Sequence, residues 1–364
     1  MTPISVLVVD DSVVVRRLVS DVLSGDPDIE VVGAASNGKI ALAKIPLLNP
    51  DIITLDVEMP VMDGLETIKQ LRKDYPDLPV IMFSTLTERG AAATFEALER
   101  GANDYVTKPA NVGSVTASMD AVRAQLIPKI KSWGARKVTP AMAPARTAPP
   151  LSVPATRKTE GPVDVVVIGV STGGPDALTT VVSALPGNLP VPVVVVQHMP
   201  PIFTDLFAKR LNGKSALTVT EAQHRDRVEA GRVLIAPGDF HVRLKADPTG
   251  VFATLDQGTP ENYCRPAVDV LFRSAAEVYG SRVLAVVLTG MGSDGARGAT
   301  RIVEAGGAVV VQDEATSVVW GMPGAVVNAG LGPEVLPVTA VANAITRRVA
   351  RGRTAVTAGG WSRS

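Results

Sequence analysis

Short runs of β-branched residues alternate with longer amphipathic stretches along most of the chain. In the first part the apolar runs are 4–9, 30–35, 51–55, 78–83 and 104–106, and helix-length segments at 12–23, 39–45, 65–73, 87–100 and 112–126 follow them. Nearly continuous apolar strands separated by helices predict a parallel sheet covered on both faces, with right-handed crossovers. The pattern breaks before residue 162. Pro140, Pro144, Pro149, Pro150, Pro154 and Pro162 recur there among Ala, Thr and Arg, and no helix or strand ladder tolerates such spacing. The alternation then resumes, with strands predicted at 163–169, 191–197, 217–220, 232–236, 241–244, 283–289 and 308–312 and helices at 175–184, 200–211, 267–279, 293–305 and 338–351. Strands crowded between 230 and 256 predict an antiparallel excursion. The reading is therefore α/β, with two doubly wound parallel-sheet domains at 1–127 and 163–351, a Pro/Ala-rich linker at 128–162 and a flexible tail at 352–364.

Composition narrows the function. Thirty-six Lys+Arg balance 36 Asp+Glu, so the basic excess of a nucleic-acid binder or a membrane-surface protein is missing. The one cysteine, Cys264, cannot form an internal disulfide, and a lone thiol is more often an inert buried group than a nucleophile. No apolar run reaches the roughly 18 residues needed for membrane insertion, and the N-terminal stretch has no basic leader pattern. The cytoplasm is the expected compartment.

Two sets of residues then carry chemistry. In the first domain Asp10 and Asp11 follow the first strand, Asp56 the third, Ser84 the fourth and Lys108 the fifth. A doubly wound sheet gathers these strand ends at its carboxyl edge. Three crowded carboxylates repel one another, and a hard divalent cation such as Mg²⁺ relieves that repulsion. A lysine and a hydroxyl beside them suit a phosphoryl group.

In the second domain Gly169-Val170-Ser171-Thr172-Gly173 is a G-x-S-x-G between strand and helix, a turn that exposes a serine oxygen. The same kind of turn also cradles phosphate, and the turn alone does not separate the two. A serine nucleophile needs a base and an orienting acid. His198 ends the next strand, and Asp294 follows the strand at 283–289; His224 falls in a charged loop, and His241 starts a strand. Gly290 to Gly295 also spells G-x-G-x-x-G, with Asp313 at the end of the following strand. That is a local dinucleotide-binding pattern. It places Asp294 against a pyrophosphate and leaves Ser171 and His198 without a role.

On these residues two family resemblances stand out. Val8-Val9-Asp10-Asp11-Ser12, Leu55-Asp56-Val57-Glu58-Met59-Pro60, Met62-Asp63-Gly64 and Thr107-Lys108-Pro109 resemble the receiver domain of two-component response regulators. The resemblance implies that Asp56 is the phosphoacceptor. It implies Mg²⁺ held by Asp11, Asp56 and the main-chain carbonyl of Glu58, with Asp10, Ser84, Lys108 and the aromatic Tyr105 supporting the phosphorylation site. Pro46 departs from the pattern and is expected to shorten the second helix or end it early.

Ser171-Thr172-Gly173-Gly174-Pro175, Gln197-His198-Met199-Pro200, Ile235-Ala236-Pro237-Gly238, Arg265-Pro266 with Val268-Asp269, and Thr289-Gly290-Met291-Gly292 with Asp294-Gly295 resemble the chemotaxis protein-glutamate methylesterases. That resemblance implies hydrolysis of glutamate γ-methyl esters, and deamidation of glutamine, on methyl-accepting chemotaxis receptors, with a chemotaxis histidine kinase as phosphoryl donor. The catalytic set would be Ser171, His198 and Asp294, with an oxyanion held by backbone N–H groups near Thr172 and Met291 and no cofactor for the hydrolysis. In this family the unphosphorylated receiver covers the catalytic face, and phosphorylation shifts it away. Two rivals remain: a non-catalytic adaptor that only binds receptors, and a DNA-binding regulator, which a large, neutral, strand-rich second domain disfavours.

Overall fold

A computed structural model describes residues 2–109, 115–134 and 161–357. The chain divides into two compact units within the proline-rich stretch, between Ala148 and Pro149.

In the first unit, strands β1 (Ile4–Val9), β2 (Ile29–Ala35), β3 (Ile52–Asp56), β4 (Val80–Ser84) and β5 (Asp104–Thr107) form one parallel sheet in the order β2-β1-β3-β4-β5. Helices α1 (Val13–Ser24), α2 (Gly38–Leu48), α3 (Gly64–Asp74), α4 (Glu88–Glu99) and α5 (Val115–Gly134) connect and cover it. Ser12, Asn37, Asp63 and Thr87 each precede a helix and accept a backbone N–H from its first turn, which fixes where α1 to α4 begin. β3 and β4 are buried at every position, as strands between two helical layers must be.

Two expected helix ends fail for one reason. Pro46 does not end α2 at residue 45; the helix runs to Leu48 and stops at Asn49, which adopts the left-handed conformation (φ 43°). Pro128 lies inside α5, which extends to Gly134 rather than stopping near 126. Residues 128–134, read from sequence as linker, are thus helical, and 135–160 lie outside the described residues. A proline inside a helix costs about 3 kcal/mol. Burying Ile45 next to Pro46, and Leu126, Ile130 and Trp133 around Pro128, offsets that cost.

The second unit is built on seven parallel strands in the order β15-β14-β13-β6-β7-β10-β8: β6 (Val165–Val170), β7 (Val193–Gln197), β8 (Thr218–Glu221), β10 (Arg232–Ile235), β13 (Val283–Val287), β14 (Ala308–Gln312) and β15 (Glu334–Leu336). The antiparallel excursion exists but is shorter than expected. β11 (His241–Asp247) pairs with β12 (Gly250–Asp256), and β9 (Asp226–Arg227) joins its edge, whereas the run at 232–235 belongs to the parallel sheet. The helices are α6 (Gly174–Ser183), α7 (Phe203–Asn212), α8 (Val268–Tyr279), α9 (Ala296–Glu304), α10 (Gly321–Asn328) and α11 (Val338–Thr357). α11 carries six residues of the expected tail as helix, and 358–364 lie outside the described residues. Val167, Val194, Leu234, Leu271, Phe272, Val287 and Val311 form part of one buried cluster beneath the sheet.

Sheet order locates the sites. In the first unit the order reverses between β1 and β3, and in the second between β13 and β6. A crevice opens at the carboxyl edge beside such a reversal.

Candidate functional site

At the reversal in the second unit, three strand ends deliver the three predicted side chains. Val170 pairs with Gln197 in register, so Ser171 and His198 are the next residues on adjacent strands, and the His198 N–H donates to the Val170 carbonyl at 3.1 Å. β13 runs beside β6 on the other side, and the Ser171 N–H donates to the Thr289 carbonyl at 3.0 Å. Glycines make these approaches possible. A Cβ on Gly290 would meet the Ser171 side chain at 2.8 Å, and Gly173 adopts φ +75° at the head of α6. Thr289 ties the turns together: its hydroxyl donates to the Thr172 carbonyl (2.9 Å) and accepts from Val318 and Val319 N–H (both 3.0 Å).

His198 and Asp294 meet directly, with Nε2 2.8 Å from Oδ2. Asp294 is 2 % exposed, yet every lone-pair direction is used. Oδ2 also accepts from Val268 N (2.7 Å), and Oδ1 accepts from Asp269 N, Gly295 N and Asn262 Nδ2. Burial alone would push this carboxyl up, but His198 and the backbone N–H groups outweigh it and hold it below the ordinary carboxylate range. Burial works against the His198 imidazolium in turn. The Asp294 carboxylate and the Cys264 sulfur overcome that, and its pKa is pushed up to about 10.

Because the carboxylate can only accept, Nε2 carries a proton and Nδ1 is the nitrogen left to act as base. Cys264 Sγ lies 3.6 Å from Nδ1. Among the described residues no hydrogen bond joins Ser171 Oγ to His198, a contact that often tightens only when substrate binds. Gln197 holds both catalytic loops, donating from Nε2 to the carbonyls of Ser171 (3.0 Å) and His198 (3.1 Å). Among the described residues the backbone N–H groups of Thr172 and Met291 have no acceptor, so both are available to a ligand.

The other histidines are structural. His241 is buried and bridges the Thr259 carbonyl and the Ala267 N–H, and His224 accepts from Leu255 N. Asp313, the acid of the dinucleotide pattern, is used locally by Thr316 N–H and hydroxyl. Sequence reasoning assigned no role to Asn262, Asp269, Gln197 or Thr289 and treated Cys264 as inert. The first three act through loops distant in sequence, although Asp269 and Gln197 do sit inside the matched stretches.

At the reversal in the first unit, Asp10, Asp11 and Asp56 offer oxygens within 4.8 Å of one another, Asp11 exposed and the other two buried. Lys108 Nζ lies 2.8 Å from both Asp10 and Asp56. Burial, with the Asp10 charge behind it, pushes the Asp56 carboxyl up to about 6 against the pull of Lys108. Arg16 holds the carbonyls of Asp10 (2.6 Å) and Asp11 (2.9 Å) in place. An exposed acid beside two buried ones suits a small oxygen-seeking divalent cation, with Asp11 and Asp56 as side-chain ligands and Glu58 available through its carbonyl. The Glu58 side chain itself pairs with Arg89 at 3.0 Å. The Ser84 hydroxyl faces the Gly90 carbonyl (3.1 Å) rather than Asp56, and Tyr105 is buried with Lys129 over its ring.

Comparison with known proteins shows the family. Residues 166–345 match the family model described as CheB methylesterase, and residues 6–120 match that of the response regulator receiver domain. A protein from a Nocardioides species is 57 % identical over 97 % of both chains, and one from Trichodesmium erythraeum is 51 % identical over 96 % of this chain and all of that one. Both bear the name protein-glutamate methylesterase/protein-glutamine glutaminase. This chain belongs to that family. The crystal structure of the Thermotoga maritima CheB methylesterase catalytic domain is 48 % identical and covers 51 % of this chain and 98 % of that one, with a TM-score of 0.50. Among the described residues no helix is long and apolar enough to cross a membrane.

Proposed function

We propose that this chain is a phosphorylation-activated methylesterase that hydrolyses glutamate γ-methyl esters, and deamidates glutamines, on methyl-accepting chemotaxis receptors in the cytoplasm. The observation that carries the reading is the buried His198–Asp294 pair at 2.8 Å, one strand away from a serine on a glycine-flanked turn. Ser171 Oγ attacks the ester carbonyl and His198 Nδ1 takes its proton, while Asp294 holds Nε2–H and stabilises the imidazolium. The N–H groups of Thr172 and Met291 receive the charge that develops on the carbonyl oxygen. The imidazolium returns the proton to the methoxide as methanol leaves. Water, deprotonated by His198, then cleaves the glutamyl-serine ester. A glutamine follows the same path and loses ammonia.

In the first unit, Asp56 would receive a phosphoryl group from a chemotaxis histidine kinase. Mg²⁺ held by Asp11, Asp56 and the Glu58 carbonyl would neutralise phosphoryl charge there, with Lys108 and Asp10 beside it. Ser84 and Tyr105 would report the added charge to the surface around α4 and β5. The ester hydrolysis needs no cofactor.

Methanol release from methylated receptor membranes tests the reading, using the full chain with Mg²⁺, with and without a small phosphodonor. Release that rises with phosphodonor and disappears in Ser171→Ala is the expected result. Receptor binding without methanol release in any arm would replace the reading with that of an adaptor.

A further inference from the structure

The turn Glu261–Cys264 reaches the catalytic pair from a loop with no catalytic motif of its own. Asn262 and Tyr263 both adopt left-handed backbone (φ 51° and 62°), and the Glu261 and Cys264 backbones close on each other at 3.1 and 2.8 Å. Two successive non-glycine residues in that region are costly, and asparagine is among the side chains that tolerate it best. The turn aims the Asn262 amide between two buried carboxylates. Its Nδ2 donates to Asp294 Oδ1 at 2.8 Å and to Asp269 Oδ2 at 3.0 Å. Arg297 Nη2 donates to its Oδ1 at 2.7 Å, which fixes which end of the amide is nitrogen.

Asp269 is fully buried, and its Oδ1 accepts from Gly295 N and Gly298 N at the head of α9. Two buried carboxylates this close repel each other, and one tends to take up a proton. Asn262 is the side chain that gives an N–H to each of them.

We propose that Asn262, aligned by Arg297, is a positioning residue that keeps Asp294 ionised and aimed at His198 Nε2 despite the neighbouring charge of Asp269. The proposal rests on the methylesterase reading for its kinetics but not for its electrostatics. Without the amide, Asp294 and Asp269 share a proton, Asp294 turns away from Nε2, and His198 loses part of the anion that favours its charged form. The groups facing the pair are Asp269 and Arg273 from α8, Arg273 being paired with Glu261 (2.5 Å), Arg297 from α9, and Cys264 from the turn.

Asn262→Gly keeps the left-handed turn and removes the amide. Loss of such a supporting hydrogen bond lowers kcat by about 10- to 100-fold with KM changed less than about threefold, and the rising limb of the pH–rate profile moves to lower pH. A merely structural defect would scale the whole profile without moving the limb. Histidine-selective NMR on the full chain, which has three histidines, reads the same change directly as a lower His198 titration midpoint. Arg297→Met, at an exposed side chain, acts in the same direction with a smaller drop of about two- to fivefold. It carries the test if Asn262→Gly does not fold. A moved His198 midpoint without methanol release from the parent chain would overturn the esterase reading and keep this one. An unmoved midpoint in the folded variant, or kcat within twofold of the parent, overturns the role of Asn262.

Discussion

The two units place their chemistry at the same spot, the reversal of strand order in a parallel sheet, and finish it in opposite ways. The first clusters three carboxylates, leaving one open to solvent and pairing the two buried ones with a single lysine. Its polar groups are crowded but only partly satisfied by the protein, which suits an incoming cation and phosphoryl group. The second buries its acid and surrounds it with donors: two from the head of α8, one from the Gly295 N–H, one from an asparagine and one from the base itself. That arrangement suits a dyad whose geometry must hold while a neutral ester enters and leaves. The contrast teaches that the same edge of the same kind of sheet becomes a receptor of charge or a generator of it according to who completes the hydrogen bonds, a ligand or the protein.

The largest effect should come from breaking the completed site. Asp294→Asn keeps the shape but offers His198 an amide that cannot favour the imidazolium, and kcat should fall about 10³- to 10⁴-fold. Unfolding by urea, run beside the kinetics, should show a cooperative transition retained. A fall of less than tenfold would mean that His198 does not act as the base. The equivalent change in the open site, Asp56→Asn, should leave basal methanol release intact and erase its rise with phosphodonor. An Asp56→Asn chain that still responds would remove Asp56 from the control scheme.

Acid–base behaviour sharpens the comparison next. In both units a raised pKa means that the folded state binds a proton more tightly than the unfolded chain, so stability falls as pH rises, but over different windows. For Asp56 the contribution is complete below the unfolded value of 3.8 and is lost by about 6. For His198 it is complete below 6.5 and is lost as pH climbs toward about 10. Catalysis has the opposite sign in the second window, because the base form of His198 grows as the proton leaves, so kcat/KM should rise above neutrality. Unfolding midpoints and methanol release measured on one pH series check both. A flat rate profile between pH 7 and 9 would contradict the assignment of His198 Nδ1 as base.

Much of this was legible in the chain. Strand ends announce themselves because a buried parallel strand is nearly all apolar and then stops at a polar residue, and Asp56, Ser171 and His198 all stand at such stops. Asp294 was legible through the glycines around it, which exist to let loops approach. Asn262 was not, since its role depends on a left-handed turn meeting a loop 32 residues away, and no local pattern encodes that meeting. The contact of Cys264 with His198 was not legible for the same reason: the histidine it faces is distant in sequence. Pro46 misled because local propensity speaks for a break while the burial of Ile45 decides otherwise, and the end of α5 was placed too early because the burial of Ile130 and Trp133 carries the helix through Pro128.

The smallest effects compare two glycines, each at the start of a helix that follows a site-bearing loop. A Cβ on Gly64 would strike the backbone carbonyl of Asp56 and come within 3.0 Å of the Val57 Cα. Backbone at the end of the central strand yields little, so Gly64→Ala should cost about 1–3 kcal/mol of stability in the first unit, read as a lower unfolding midpoint. A Cβ on Gly174 would strike Gln197 Oε1, the end of a side chain whose oxygen has no partner among the described residues. A side chain can move, and the stability loss should be the smaller of the two. Yet the other end of that amide ties the carbonyls of Ser171 and His198 together. Displacing it loosens the register between nucleophile and base, so Gly174→Ala should lower kcat by about tenfold while barely shifting the midpoint. A Gly174→Ala chain that loses stability and keeps its rate would show that Gln197 braces the sheet and not the chemistry.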